Sequence, residues 1–257
     1  MATFQELKSR ADREWQELVS GERPWIRIGT AMCGHAAGAF QVKEAIEAEL
    51  QRLEIDARTD EVGCLGICFA EPLVDIAKPG GPRLFFGNVT PDDVRPILDD
   101  YLRNGRVPAS RALGYLGEQA VDGVTDLATL PGIRLQQRIA LRNAGHIAHD
   151  DVFQYIARGG YGGLNKALFE MQPVDVIKEI TDSGLRGRGG AAFSTGIKWS
   201  FLVRSPGPPK YILCNCEEGD PGAYNDKGIL EGDPHTLLEG MLLAGYATGA
   251  TKGFVFI

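Results

Sequence analysis

No apolar run in the sequence approaches the roughly 20 residues needed to cross a bilayer, so no spanning helix is expected. Surplus positive charge is also missing: 27 Lys and Arg stand against 34 Asp and Glu, a net charge of −7. That balance argues against a general nucleic-acid or membrane surface, and any basic site must be local. The opening residues, MATFQELKSRADREWQELV, have no apolar core of the signal-peptide kind, which makes the cytoplasm the expected location. Cysteines are few and odd in number, five, at positions 33, 64, 68, 214 and 216. Such clusters suit metal or redox duty in a reducing compartment better than a disulfide framework. There is no internal repeat.

What is present fits an α/β protein. At 257 residues and 44% hydrophobic content, the chain can fill a core as one large domain or two ordinary ones. Phe4, Leu7, Ala11, Trp15 and Leu18 recur at helical spacing and predict an opening amphipathic helix. WIRIGTA reads as a strand, and FQVKEAIEAELQRL as a helix with Val42, Ile46, Leu50 and Leu53 on one face. PLVDIAK, PGGP and RLFFGNV form a hairpin pattern. Thr90 and Pro91 open the next helix, with Asp92 and Asp93 at its positive end. Strand, helix, hairpin and helix make a unit of thioredoxin-like size over residues 1–104. Over 105–132 the periodicity weakens and small residues dominate, which reads as an interdomain linker.

A second unit is expected over residues 133–257. DDVFQYIARGGYGGLNKALFEM and PVDVIKEITDSG read as two helical segments, KYILCN as a buried strand, PHTLLEGMLLAGYATGA as an apolar helix and GFVFI as a further strand. Between them lies GLRGRGGAAFSTGIKW, residues 184–199. Successive glycines tolerate positive φ and expose backbone N–H groups, so they can form an anion-binding nest. Arg186, Arg188 and Lys198 add charge, and a helix starting near Thr195 would aim its dipole at the same place. This points to a phosphate-bearing ligand. The stretch has neither the G-x-G-x-x-G fingerprint nor a GK[ST] ending. Beyond the following strand, Asn215, Glu217, Glu218 and Asp220 stand where α/β folds present ligand contacts, suited to a heterocycle rim or sugar hydroxyls. A flexible surface loop and a solvated acidic loop are the plainer alternatives.

SGLRGRGGAAFSTGIKWSF, CNCEEGDPGAYNDKGILEGDPHTLLEGMLLAGYATGA and the upstream RIALRNAGHIAHDDVFQYIARGGYGGLNKAL together resemble the FMN- and NADH-binding subunit family of respiratory complex I. The same 51 kDa-type family serves bacterial NAD-dependent hydrogenases and formate dehydrogenases. The resemblance implies that 133–257 is the first part of a 51 kDa-type flavin-binding α/β domain. Gly187, Arg188, Gly189 and Gly190 would cradle the FMN phosphate, with Lys198 beside it. Asn215, Glu217 and Glu218 would line the flavin, Glu217 standing where the family more often has Asp. Phe193 and Phe201 would sandwich the nicotinamide nucleotide, and Asp220 stands where complex I usually has Glu. Glu218 and Asp220 would adjust flavin potential and nucleotide release. Cys214 and Cys216, on a strand, are expected to face opposite sides, one in the core and one near flavin.

CLGIC and TAMCGHAAGA place Cys64, Cys68 and Cys33 in a pattern that resembles the thioredoxin-like [2Fe–2S] ferredoxin domain. Such a cluster takes four thiolates, two per iron, and here three are present. The position of the missing ligand falls near Ile28, which cannot coordinate; His35 offers an imidazole at a different spacing. The domain is therefore expected either to hold a cluster through Cys33, Cys64, Cys68 and another group, or to be a degenerate docking platform. His146, His149 and His235, far from any nucleophile, are assigned structural roles.

By this resemblance the chain accepts hydride from NADH on FMN, or runs the reverse, and passes single electrons to iron–sulfur subunits of a larger complex. The hydride chemistry belongs to the cofactors. Its partners would be NADH or NAD+ and those subunits, with no nucleic acid and no membrane insertion. The alternatives are a non-catalytic assembly module and an enzyme for another phosphate-bearing ligand. The family continues beyond GFVFI with further flavin-domain strands, a ubiquitin-like unit and a helical region whose cysteines hold a [4Fe–4S] cluster, so the chain is expected to be a part of such a protein.

Overall fold

The computed structural model describes residues 3–257. The chain opens with helix α1, Phe4–Ser20, closed at its start by a capping box in which Thr3 and Glu6 satisfy each other's backbone N–H groups. It continues through β1 (Trp25–Gly29), α2 (Met32–Ala37), α3 (Ala39–Leu53), β2 (Arg58–Val62), β3 (Val74–Ala77), β4 (Arg83–Phe86), α4 (Pro91–Leu98) and β5 (Gly114–Leu116). The strands form one sheet in the order β2-β1-β3-β4-β5. β1 runs parallel to β2 and antiparallel to β3, and β4 and β5 each continue antiparallel. That arrangement, with α3 as the β1–β2 crossover and α4 after the hairpin, is the thioredoxin-like fold.

Strand alternation sorts this sheet into two unlike faces. Ile26, Ile28, Ile76, Leu84 and Phe86 meet Val42, Ile46 and Leu50 of α3 and Val94, Ile97 and Leu98 of α4 in the main core. The opposite face carries Arg27, bonded at 2.6 Å to Asp75, which also holds Arg83 at 2.7 Å. This charged face is buried against the C-terminal half: the Trp25 indole and the Gln154 amide both donate to Asp60 at 2.9 Å. α4 begins at Thr90 as expected, the Asp93 carboxylate accepting from the Thr90 N–H at 3.0 Å.

The residues from 105 to 132 are more ordered than their composition suggests. β5 pairs with β4, and Leu127 is buried beneath Gly114, where an added Cβ would stand 2.3 Å from its side chain. The small residues there permit close approach, and their weak periodicity hid a three-residue strand.

Beyond lie α5 (Pro131–Arg134), α6 (Val152–Ala157), α7 (Gly162–Glu170), α8 (Pro173–Asp182), α9 (Thr195–Arg204), β6 (Tyr211–Asn215), α10 (Asn225–Gly232), α11 (Pro234–Thr248) and β7 (Lys252–Phe256). The segment expected as one helix around residue 160 is two, α6 and α7, because Gly159 and Tyr161 between them take left-handed conformations. α1 packs on α6, with the Arg10 guanidinium 3.9 Å from the Phe153 ring centroid. α7, α8, α9 and α11 share a small core around Ala167, Val176, Ala247 and Trp199. β6 and β7 are parallel, and α11 packs against both. β6 is not the buried strand its apolar sequence suggests: Ile212 and Cys214 are half-buried, whereas Tyr211 and Leu213 are exposed.

Candidate functional site

The loop after α8 is the first of three regions that carry chemistry. It turns back on itself through the Gly187 N–H to Phe193 carbonyl bond at 2.8 Å and the Thr195 N–H to Leu185 carbonyl bond at 2.9 Å. Arg186 braces it by donating to the Ala192 carbonyl at 3.1 Å. Between these ties, the backbone N–H groups of Arg188, Gly189, Gly190 and Ala191 have no protein partner among the described residues, and all four residues are exposed. Gly190 has φ +91°, and nothing lies within 4 Å of the space above Gly189 or Gly190. Gly189 does not need positive φ, so its role is clearance alone. The arrangement is an open nest of donors, with Arg188 and the exposed Lys198 as cations that make no ion pair among the described residues. α9 starts directly behind it, its N-cap Ser194 accepting from Ile197.

A phosphate group fits this chemistry: unpartnered N–H donors, no Cβ above them, and local positive charge on an acidic chain. Phe193 and Phe201 lie on the same side of α9's first turns, with ring centroids 6.1 Å apart at 45°. They touch one another. A ring held between two others needs their centroids about 9 Å apart, twice the close-stacking distance, so a sandwich requires Phe193 to swing away.

The second region follows β6. Asn215, Glu217 and Asp220 are exposed, and Asn215 folds the turn by accepting from the Glu217 N–H at 3.2 Å. Glu218 instead turns inward and accepts from the backbone N–H of Asp226 at 2.8 Å and of Lys227 at 3.1 Å, the start of α10. Desolvation pushes its carboxyl upward, but these backbone donors outweigh it and hold Glu218 below the ordinary carboxylate range. The resemblance implies a flavin role for Glu218; its carboxylate lies on a helix terminus that the sequence pattern does not foretell. Among the described residues no hydrogen bond joins this region to the loop at 184–192.

Cys214 and Cys216 correct a sequence expectation. Residues two apart on a strand share a face, and their sulfurs lie 3.4 Å apart on one side. Cys216 is buried, and burial followed by the neighbouring Cys214 pushes its thiol up to about 12.

The third region is the thioredoxin-like domain's cysteine group. Cys33 lies within the short helix α2, between β1 and α3, and Cys64 and Cys68 lie on the loop after β2. All three sulfurs fall within 4.8 Å of one another, with Cys64 and Cys68 at 3.5 Å. The Gly66 N–H donates to Cys64 at 3.1 Å. Burial, followed by the neighbouring Cys64 and Glu71, raises the Cys33 thiol, as expected for sulfurs crowded together. Ile28 is fully buried in the main core, and His35 is exposed on the outer side of α2 against Phe40. Neither offers a fourth donor.

A residue that the sequence reading missed stands there. Glu71 is 7% exposed, accepts from the Leu73 N–H at 2.7 Å and receives the Cys33 thiol at 3.9 Å. Burial pushes its carboxyl up to about 7, and no cation opposes that. Its only sequence signal is to be the one carboxylate in CLGICFAEPLV.

α10 connects the second region to the third. Glu231 accepts from the Met32 N–H at 3.0 Å, beside Cys33, and Gly232 packs on Gly63, beside Cys64, so closely that an added Cβ would stand 3.2 Å from the Gly63 Cα.

Among known proteins, residues 180–257 match the Nuo51 FMN-binding domain. The NADP-reducing hydrogenase subunit HndC of Solidesulfovibrio fructosivorans is 50% identical over 122 residues, 48% of this chain and 24% of that protein. An NADH-quinone oxidoreductase subunit of Rhizobium meliloti is 46% identical, over 46% of this chain and 28% of that protein. The chain thus spans about a quarter of the length of the curated relatives it matches. Among solved structures, a thioredoxin-like [2Fe–2S] ferredoxin from Aquifex aeolicus is 20% identical and covers 36% of this chain and 98% of its own, at a TM-score of 0.32. An NAD+-reducing [NiFe]-hydrogenase in the H2-reduced state is 21% identical and covers 99% of this chain and 40% of its own, at 0.37.

Proposed function

We propose, on the premise that residues 180–257 belong to the Nuo51 FMN-binding domain family, that this chain is the electron-input part of a cytoplasmic NAD(H)-linked flavoprotein oxidoreductase. The observation that carries the reading is the open nest at Arg188–Ala191, whose free N–H groups and missing Cβ atoms suit the phosphate of FMN. When bound, the flavin supplies hydride exchange with the nicotinamide ring and passes the electrons on singly. The chain's own part is to hold and orient. Gly187, Arg188, Gly189 and Gly190 seat the phosphate, and Lys198 adds a charge one turn into α9. Asn215, Glu217 and Asp220 offer acceptors toward the ligand's polar rim, and Phe193 and Phe201 give an apolar wall for the nucleotide. Glu218 fixes the start of α10, so its effect on the flavin passes through the position of that helix. No side-chain nucleophile or general base is needed. Cys33, Cys64 and Cys68 of the thioredoxin-like domain would hold a [2Fe–2S] cluster, which would supply one-electron transfer toward other proteins of a larger complex.

The test is an FMN titration of the wild-type chain and two variants. Gly189→Val fills the clearance above the nest without imposing a forbidden φ, so FMN affinity should fall by at least about tenfold, roughly 1.4 kcal/mol, while helical content stays unchanged. Lys198→Ala removes one charge-assisted bond, and a loss of about 1.5–3 kcal/mol is expected. Equal affinity in all three proteins would show that the loop seats something else.

A further inference from the structure

Three thiolates are one donor short of a [2Fe–2S] site, and the fold supplies a fourth group from an unexpected direction. The position near Ile28 is closed, because that side chain points into the main core. Its neighbour Gly29 points to the other face, and the Glu71 carboxylate fills the space there: an added Cβ on Gly29 would stand 2.9 Å from Oε2 and 3.0 Å from Oε1. A Cβ on Gly34 would stand 3.2 Å from the same Oε2. Two glycines thus make a slot that fits this carboxylate and aims it at Cys33.

The Glu71 carboxylate is almost fully buried and makes no ion pair among the described residues; its partners are one backbone N–H and one thiol. Buried carboxylates are ordinarily paired with a cation or bound to a metal. The spacing of the donors is also telling. Two ligands of one tetrahedral thiolate-bound metal, at about 2.3 Å each, stand about 3.8 Å apart. Cys64 and Cys68 lie 3.5 Å apart, and Cys33 and Glu71 3.9 Å apart. Each of these two separations is of a size for one iron to span, within a group whose three sulfurs all lie within 4.8 Å of one another.

We propose that Glu71 is the fourth ligand of the [2Fe–2S] cluster, sharing one iron with Cys33 while Cys64 and Cys68 hold the other. Loading displaces the thiol and carboxyl protons to solvent, as ligand deprotonation requires. The assignment rests on the cluster reading given above and is independent of the flavin. It makes the two irons chemically unlike, one bound by two thiolates and the other by a thiolate and a carboxylate.

The experiment is anaerobic reconstitution of the full chain with iron and sulfide, comparing wild type, Glu71→Ala, Glu71→Cys and His35→Ala by metal analysis, Mössbauer spectroscopy and resistance to a chelator. Wild type should hold about two irons and two sulfides per chain and show two Mössbauer doublets of equal area. Glu71→Ala should lose its iron to the chelator at least about tenfold faster, since removing even a supporting residue typically costs that much. Glu71→Cys should keep the cluster with the two doublets drawn together, and His35→Ala should match wild type. If Glu71→Ala fails to fold by circular dichroism, the Glu71→Cys spectrum decides. A wild-type cluster whose spectrum is unchanged in Glu71→Ala or Glu71→Cys overturns the ligand assignment alone, as does loss confined to His35→Ala. A wild-type chain that takes up no iron, or one metal ion only, overturns the cluster reading with it.

Discussion

His146 shows how a single side chain can set the pH response of the fold. Its Nδ1 lies 2.8 Å from Arg83 Nη1, and a guanidinium only donates, so Nδ1 accepts and the folded ring is neutral. Burial first, and then Arg83 and three further arginines, lower its pKa to about 3. The unfolded ring titrates near 6.5. The folded state therefore resists a proton that the unfolded state takes up. Stability is full above about pH 6.5 and falls as pH drops toward 3, at up to about 1.4 kcal/mol per pH unit from this group. Denaturant midpoints measured between pH 7 and 4 should show a shallower slope in His146→Asn, which keeps an acceptor for Arg83. An unchanged slope would place the acid sensitivity elsewhere. The three thiols and the glycines of the loop stand out in the sequence itself, and the structure groups the thiols and leaves the loop's N–H groups open. Glu71 does not, because its partner Cys33 lies 38 positions away and only the folded sheet brings the two together.

Local pattern and tertiary packing divide the credit for the elements. α1, α3, α4, α9 and α11 follow from periodicity and caps, and β1, β3 and β4 from short apolar runs. β5 and α10 escaped notice, one for want of length and the other because DKGILEG carries glycines and mixed charge that read as loop. α10 forms because Glu218 satisfies its first N–H groups and its far end docks on the thioredoxin-like domain. The contact there admits no side chain. A Cβ on Gly232 would stand 2.9 Å from the Ala144 Cβ and 3.2 Å from the Gly63 Cα. Gly232→Ala should therefore cost about 1–3 kcal/mol by overpacking, read as a lower denaturant midpoint with unchanged far-ultraviolet dichroism. Wild-type stability in that variant would mean the two glycines are not in firm contact.

The whole molecule couples its halves more tightly than a linker between two domains would. Trp25, Asp60 and Gln154 form a buried chain of hydrogen bonds across the junction. Arg83 reaches the Gly145 carbonyl at 2.8 Å, and α1 lies on α6. Buried polar groups of this kind are costly to leave unpaired, so neither half is expected to unfold without exposing the other. Calorimetry should show one cooperative transition, with the van't Hoff and calorimetric enthalpies in agreement; two resolved peaks would contradict this. The thioredoxin-like sheet was readable from sequence order, whereas its burial against the rest of the chain was not, since the joining residues are largely charged and polar and look like surface.

α10 spans eight residues, about 12 Å at the ordinary helical rise. One end is pinned by Glu218 in the turn after β6, and the other by Met32 and Gly63 beside the thiols. The helix is thus a strut. It sets the distance between the turn after β6 and the thiols by backbone geometry. Under the proposed function, electron exchange along it would have a fixed distance, and a residue inserted into α10 would alter the transfer rate without touching any of the proposed ligands.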